Sequence, residues 1–519
     1  MERKTKFSTI KVNNKDIGEY VISGNLYEVE DTFERFSVVK SYRSVSVMGS
    51  ERLVDFAAKL ENTTGISFSI VEHEKLSEHE GNYIMLDDTN PDFSSYEIKI
   101  ENGNIILYAN YYSLNDCINS FFADIIGYNL DKGQITGAES INITEGKKYK
   151  FEKSEIYTKE KLMSVLEEIY NDDSRMIVGQ QMSQGVTIGE VFDLEITNYK
   201  EGCGVEPALL GWDVVGTMIY PQNRKNLESA RVKIAYQMVE YMRDGGIITL
   251  STHFPNPLDE KPSQGDSIKG AFGYEEEWDE LFQEGTAINK RFMGYLEQLG
   301  DFLEILDKNG APIILRPLFE SNGNWTWYSI GARKNGVTKK ISSTYVSSLW
   351  ILMYDYLVKT RGLENLIWVY SPNVMFRGGT EKYGAVMDCY PGDNYVDIVA
   401  VDWYPKNEES LRDPVILTDA YEDLTVPTGK IFVYGELSAG PGLRTMGDNY
   451  TFTAEDYADM LINFAEKGVK SAYALSWSSW VESGVRVKLT MYEMTKGKEF
   501  YANNSGFLDK EATRELLYH

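Results

Sequence analysis

From residue 159 onward the chain alternates short apolar runs with longer segments whose apolar residues recur every three or four positions. Eight runs have strand character: Met176–Gln180, Ala208–Trp212, Ile247–Thr252, Pro312–Pro317, Leu366–Tyr370, Asp397–Asp402, Lys430–Gly435 and Ala472–Trp477. Strands covered on both faces read this way, with little alternation. Helical patterns lie between most of them. Asn226–Arg243 follows the second run, Thr344–Lys359 the fourth and Glu455–Glu466 the seventh, with Thr453 and Asp456 in capping-box positions. The clearest helix is Ile288–Leu306, where Ile288, Phe292, Tyr295, Leu296, Leu299, Phe302, Leu303 and Leu306 form one stripe and Gly310 stands just beyond. Eight strand-and-helix alternations over roughly 350 residues predict a (β/α)8 barrel, an α/β TIM-barrel fold. A doubly wound open sheet is the alternative, weakened because no Gly-rich phosphate turn follows the first strand. The longest insertions follow the third and fourth strands, at the end of a barrel where active sites are built.

The first part of the chain has a different rhythm. Thr9–Val12, Glu19–Ile22 and Ser67–Val71 read as strands, and Ser50–Asn62 as an amphipathic helix. Tyr96–Glu101 and Ile105–Ala109 flank Asn102-Gly103-Asn104 and predict a hairpin, and Leu114–Gly127 reads as a second helix. The expected division is a small α/β accessory domain over residues 1–155 and a barrel over 156–519.

Composition narrows the partners. The chain has 79 acidic against 52 basic residues, a net charge of −27, and no dense Lys/Arg cluster. Nucleic acid and anionic membrane are disfavoured, because both demand a basic surface. A neutral polysaccharide is not repelled. Three cysteines, Cys117, Cys203 and Cys389, make neither a disulfide framework nor a CxxC zinc pattern. The four histidines are scattered, so no metal or cofactor is expected. No apolar run is long enough to span a membrane. The N-terminus MERKTKFSTIKVNN lacks an apolar signal region. The chain therefore reads as cytoplasmic, or as secreted with its signal removed.

Two phrases carry the chemistry, RPLFESNGNWTWY at 316–328 and KIFVYGELS at 430–438. Each puts a glutamate, Glu320 or Glu436, just past an apolar strand, and tryptophans stand close by. A glycosidase needs two such carboxyl groups: one protonates the departing sugar oxygen and the other attacks the anomeric carbon or activates water. Strand order sets them after the fourth and seventh strands, on opposite sides of the mouth. A separation of about 5–5.5 Å would give retention of configuration, and a wider one inversion. Trp325, Trp327 and Tyr328 are expected to line the surface of that loop. Trp212, Trp350 and Trp368 are expected to pack inside elements. Asp402 and Trp403 fit barrel-end packing as readily as ligand contact. EEEWDE at 275–280 reads as a solvated loop or helix start, with Trp278 a candidate for the cleft rim.

Eight phrases in order resemble glycoside hydrolase family 26, the β-mannanases with related β-glucanases and β-xylanases. They are GQQ (179–181), LLGWD (209–213), GIITLSTHFPNP (246–257), ILRPLFESNGNWTWYSIG (314–331), LIWVYSPN (366–373), DIVAVDWYP (397–405), IFVYGELS (431–438) and a last strand ending in Trp477. The resemblance implies a retaining glycosidase acting on a β-linked neutral polysaccharide, with β-1,4-mannan first. It makes Glu320 the general acid/base and Glu436 the nucleophile. Tyr404 would hydrogen-bond the nucleophile, His253 would contact the sugar at the cleavage site, Arg316 would support the carboxylates, and Trp325 and Trp477 would wall the subsites. A β-glucanase or β-xylanase is the alternative within the family. A non-catalytic carbohydrate-binding barrel is the alternative outside it. The sequence departs from the family pattern at Phe319, where the family has a histidine before its acid/base. The first 150 residues resemble, in their order of elements and in TTGISF (63–68), the small domain that precedes the barrel in glycoside hydrolase families 20 and 67.

Overall fold

The computed structural model describes residues 9–12, 15–16, 21–25, 49–64, 68–71, 73–78, 82–102, 104–110, 112–125, 128–129, 134–135, 140–143, 148–152, 154–182, 190–214, 224–260, 275–331, 333–334, 337–338, 340–374, 383–440, 442–443, 445–446, 452–482 and 484–519. The chain divides into two compact units, Met1–Glu155 and Ile156–His519.

In the second unit the eight expected runs are strands, all parallel to their neighbours. They are β1 Met176–Gln181, β2 Leu209–Asp213, β3 Ile247–Thr252, β4 Ile313–Pro317, β5 Leu366–Tyr370, β6 Ile398–Trp403, β7 Ile431–Leu437 and β8 Tyr473–Ser476. Each pairs with the next, and β1 pairs with both β8 (Ile177 opposite Tyr473) and β2 (Gly179 opposite Leu209). The sheet is therefore a closed barrel, and the open doubly wound alternative is excluded. β1, β3, β4, β5 and β6 are buried at every position, as strands lined by helices outside and by one another's side chains inside must be.

The outer helices follow the apolar stripes. Ala287–Lys308 starts at Thr286, whose hydroxyl accepts from the Asn289 N–H at 3.1 Å, and it buries the predicted stripe from Ile288 to Leu306. Burying each such large side chain contributes about 1.5–3 kcal/mol, so the stripe outweighs the helix's weak intrinsic preference. Ala454–Glu466 carries the expected capping box between Thr453 and Asp456. The helix predicted over 344–359 runs Ser343–Tyr354 and loosens into a π-helical turn, Asp355–Thr360. A helix at Val415–Thr428, before β7, had no clear signal because Pro427 lies within it.

The barrel chain enters and leaves at one corner. The Tyr157 ring stands edge-on to Tyr518, with centroids 5.8 Å apart, and its hydroxyl donates to the Gly246 carbonyl at 2.6 Å, at the start of β3. Past the eighth strand, Phe507–Leu508 pairs with the outer end of β1.

The first unit holds a five-stranded mixed sheet in the order Lys148–Glu152, Ser95–Glu101, Asn104–Tyr108, Tyr83–Asp87, Val21–Asn25. The predicted hairpin is present, with Asn102 at φ 51° in its turn. Leu60, Phe56, Phe121 and Phe122 join Ile84, Leu86, Ile98 and Leu107 in one core. The second helix is shorter than the sequence suggests, Leu114–Ser120 followed by the π-helical Phe121–Ile125, and residues 126–127 lie outside the described residues. The Ser67–Val71 strand is reduced to a single bridge, Ile70 to Ile22, and residue 67 lies outside the described residues. The predicted strand over 19–22 lies at Val21–Asn25, and residues 19–20 are outside the described residues.

Candidate active site

The C-terminal ends of the strands converge on three carboxyl groups and one guanidinium. Arg316 is the fourth residue of β4 and is buried. Its Nη2 donates to Glu436 Oε1 at 2.8 Å, and its Nη1 donates to Asp402 Oδ2 at 2.9 Å. Both acceptors stand side by side because the β6–β7 register shifts at Val401/Asp402, which sets Asp402 opposite Glu436. A bulge of this kind turns a strand end so that the following side chain points where the regular pleat would not send it. The Tyr404 hydroxyl donates to Glu436 Oε2 at 2.6 Å, and the Ser371 hydroxyl donates to Asp402 Oδ1 at 2.6 Å. Gly435 makes room for the cluster, since a Cβ there would come within 2.4 Å of the Ser371 hydroxyl and 2.7 Å of Asp402.

Glu320 faces this cluster from the far side. One oxygen each from Glu320, Asp402 and Glu436 lie within 4.8 Å of one another. Glu320 sits at φ 55° and Leu318 at φ 47°, left-handed conformations that cost a side-chain-bearing residue free energy. The strained turn is held by the Glu320 N–H donating to the Ser371 carbonyl at 2.7 Å. Asn373 Nδ2 donates to Glu320 Oε1 at 2.6 Å, and the Trp325 indole N–H donates to Oε2 at 2.5 Å.

Electrostatics separate the carboxyl groups. Burial pushes Glu320 up to about 7, helped by the charge on Glu436. The donors Asn373 and Trp325 and the Arg316 charge pull the other way without cancelling it. Asp402, with no exposed surface, is driven up by burial against the opposing charge of Arg316. Glu436 accepts at both oxygens, the hydrogen bonding of a carboxylate. Burial alone would weaken the charge on Arg316, but Asp402 and Glu436 reverse that and keep it firmly protonated. Three carboxyl groups so close have the span of a cation site. Arg316 already spends two donors on two of them, so the guanidinium supplies the positive charge and the donor set does not call for a metal.

His253, just past β3, donates its Nδ1–H to Asp213 Oδ2 at 2.5 Å. Burial lowers its proton affinity, but Asp213 more than offsets this and raises it above the ordinary value. Phe319 packs between His253 and Arg316. Its ring lies 4.4 Å from the His253 ring at 81°, and the Arg316 guanidinium carbon sits 4.3 Å from its centroid. Trp477, 8% exposed, lies 6.4 Å beyond on the same wall. Trp325 is half-buried beside Tyr383, ring centroids 6.4 Å apart. All seven expected site residues, His253, Arg316, Glu320, Trp325, Tyr404, Glu436 and Trp477, thus belong to one connected cluster.

Other expectations are corrected. Trp327 and Tyr328 do not line the surface; both are fully buried, and the Trp327 indole donates to the Phe254 carbonyl at 2.7 Å. Trp278 does not rim the cleft; it is buried, 5.9 Å from Trp327, on the helix Glu275–Phe282. Trp350 and Trp368 pack as expected, whereas Trp212 is half-buried. Asp402 is an ion-pair partner of Arg316 rather than simple packing. Asp213 and Asn373 join the site in addition to the residues expected from the sequence. Their only signal is a polar residue just beyond an apolar strand, the same placement that marks both glutamates.

The sequence model described as Glycosyl hydrolase family 26 matches residues 153–478. A mannan endo-1,4-beta-mannosidase A and B of Caldalkalibacillus mannanilyticus is 32% identical over 242 residues, 47% of this chain and 42% of that protein. A mannan endo-1,4-beta-mannosidase of Bacillus subtilis is 28% identical over 284 residues, 55% of this chain and 69% of that protein. This chain thus matches less than half the length of the first of these relatives. A solved Bacillus subtilis mannanase has the same fold, with 23% identity, a TM-score of 0.51, and coverage of 67% of this chain and 90% of that one.

Proposed function

Because the chain belongs to glycosyl hydrolase family 26, we propose that it is a retaining glycoside hydrolase that cleaves β-1,4-mannan. The observation that carries the reading is the approach of Glu320 and Glu436, with oxygens inside 4.8 Å and opposed environments. That spacing suits double displacement, which needs carboxyl groups about 5–5.5 Å apart, and leaves no room for the water of an inverting mechanism. Glu436, presented by Arg316 and Tyr404, attacks the anomeric carbon and forms the glycosyl-enzyme. Glu320, holding its proton up to about pH 7, gives it to the departing oxygen. As a carboxylate it then takes a proton from the water that releases the sugar. His253, Trp325 and Trp477 bind the sugars flanking the cleaved bond. The polysaccharide of the mannan-degrading relatives supports mannan as the polymer.

The first 155 residues are proposed as an accessory domain of the kind that precedes the barrel in families 20 and 67.

The test is release of reducing sugar from mannan, β-glucan and xylan by the full chain. Mannan is expected to be cleaved fastest, with product of retained configuration by NMR, and both Glu320→Ala and Glu436→Ala are expected to abolish release while mannan still binds. Binding without turnover by the unmutated protein would replace the enzyme reading with a carbohydrate-binding one. Faster release from glucan or xylan would replace mannan alone.

A further inference from the structure

We propose that Asn373 is a positioning residue for the acid/base, acting through Glu320 rather than on the sugar; the proposal rests on the reading of Glu320 as that group. Asn373 is buried, three residues beyond β5. Its Nδ2 donates to Glu320 Oε1 at 2.6 Å, which fixes one of the two oxygens of the carboxyl group.

The amide that does this is itself held from both sides. The Asn373 N–H donates to Asn322 Oδ1 at 2.8 Å, and Asn322 Nδ2 donates back to the Asn373 carbonyl at 2.8 Å. Asn322 thus grips the Asn373 backbone as a neighbouring strand would, and it lies only two residues after Glu320. The Val374 N–H donates to the Asp402 carbonyl at 3.2 Å and ties the same segment to β6. The loop that carries the acid/base therefore clasps the residue that aims it. A second clasp acts on the other oxygen. The Trp325 indole reaches Oε2 because it folds over Gly323, where a Cβ would meet the ring at 2.5 Å.

An N–H donor binds a carboxylate more strongly than the protonated acid. The carboxylate, the proton-accepting form needed when Glu320 takes a proton from water, is thus the form Asn373 favours. Burial and the Glu436 charge favour the other form, needed for protonating the leaving group. The remaining groups around Glu320 are Arg316 from β4, Asp402 from β6, Tyr404 just beyond it, His253 beyond β3, and Tyr328 in the loop of Glu320 itself. None of these is an amide donor to Oε1, so among the described residues none substitutes for Asn373.

The experiment titrates the Glu320 carboxylic acid band by infrared difference spectroscopy in the ligand-free full chain, with Glu320→Gln identifying the band. Asn373→Ala is expected to raise its midpoint by about one pH unit, the loss of one charge-assisted hydrogen bond. The basic limb of kcat/KM should rise with it. Hydrolysis of the glycosyl-enzyme needs Glu320 ionised, and there the Glu436 charge is spent in the ester, so the acid limb of kcat for a dinitrophenyl glycoside, whose departure needs no proton, should move up by the same unit, with a lower KM below that limb as the glycosyl-enzyme accumulates. Asn373→Leu, close in volume and with neither a donor nor a charge, carries the same measurement if the alanine variant does not fold. An unchanged midpoint in the folded variants, or a change in KM alone, overturns the proposal. A shifted midpoint in a protein that cleaves no polysaccharide leaves the clasp standing and overturns the functional reading instead.

Discussion

Phe319 stands edge-on to His253, ring centroids 4.4 Å apart, while its face covers the guanidinium of Arg316. An apolar ring therefore sits where the family pattern has a histidine, and it covers the cation that holds Asp402 and Glu436. Phe319→His is expected to expose Arg316 to hydration and to add a hydrogen-bond donor beside the cleaved sugar. We expect about 1–2 kcal/mol less stability, from the lost cation–π and aromatic contacts. The ratio of kcat/KM on mannan to that on β-glucan should change by about tenfold, one hydrogen bond of about 1.4 kcal/mol at the cleavage subsite. Thermal unfolding and paired kinetics on the two polymers check both parts.

The pH profile follows from Glu320. Its carboxyl must be protonated for the first step and is pushed up to about 7. kcat/KM on mannan is therefore expected to fall tenfold per unit above a limb near pH 7. The same displacement carries a stability cost. A carboxyl whose folded value lies above its unfolded one binds more protons in the native state, so stability declines as pH rises from the unfolded value through the folded one. Between pH 5 and 8 the wild type should lose up to about 3 kcal/mol that Glu320→Ala does not. Denaturant unfolding at both pH values measures the difference.

Arg316 is buried against Asp402 and Glu436. Arg316→Met leaves two close carboxyl groups without their cation, and breaking a buried pair in this way costs about 3–5 kcal/mol. Arg316→Lys keeps the charge but not the two-pronged reach, so stability should recover in part while kcat stays low. A variant with both full stability and full kcat would contradict this account.

Tyr404→Phe removes the 2.6 Å hydrogen bond to Glu436 and leaves the ring. A hydrogen bond to a charged group contributes about 1.5–3 kcal/mol, so kcat should fall about 10- to 100-fold with little change in melting temperature. Mannan binding measured by calorimetry on the inactive Glu320→Ala background should be nearly unchanged.

The barrel was legible because its strands are covered on both faces, which leaves uninterrupted apolar runs such as Leu366–Tyr370. Glu320 and Glu436 stood out because a charge directly after such a run has few roles other than chemistry. The loop between them and the helices misled for a local reason. Leu318 and Glu320 take left-handed backbone that neither residue advertises, and Trp327 and Tyr328 further along the same loop are buried rather than lining the cleft. The shift at Val401/Asp402 is equally silent in sequence, so Asp402 could not be told from packing. Asp213 and Asn373 act on His253 and Glu320 across strands, and a single sequence does not reveal which polar residues meet after the barrel closes.

The meeting of Tyr157 and Tyr518 has a practical corollary. The barrel's first and last helices are near enough for a tether of a few residues to join them, on the strand-start side where Gly246 lies. A circular permutant of residues 156–519, rejoined there and reopened in an exposed loop, would keep Glu320, Asp402 and Glu436 each on or beside its own strand and make the order of synthesis irrelevant to the assembled site.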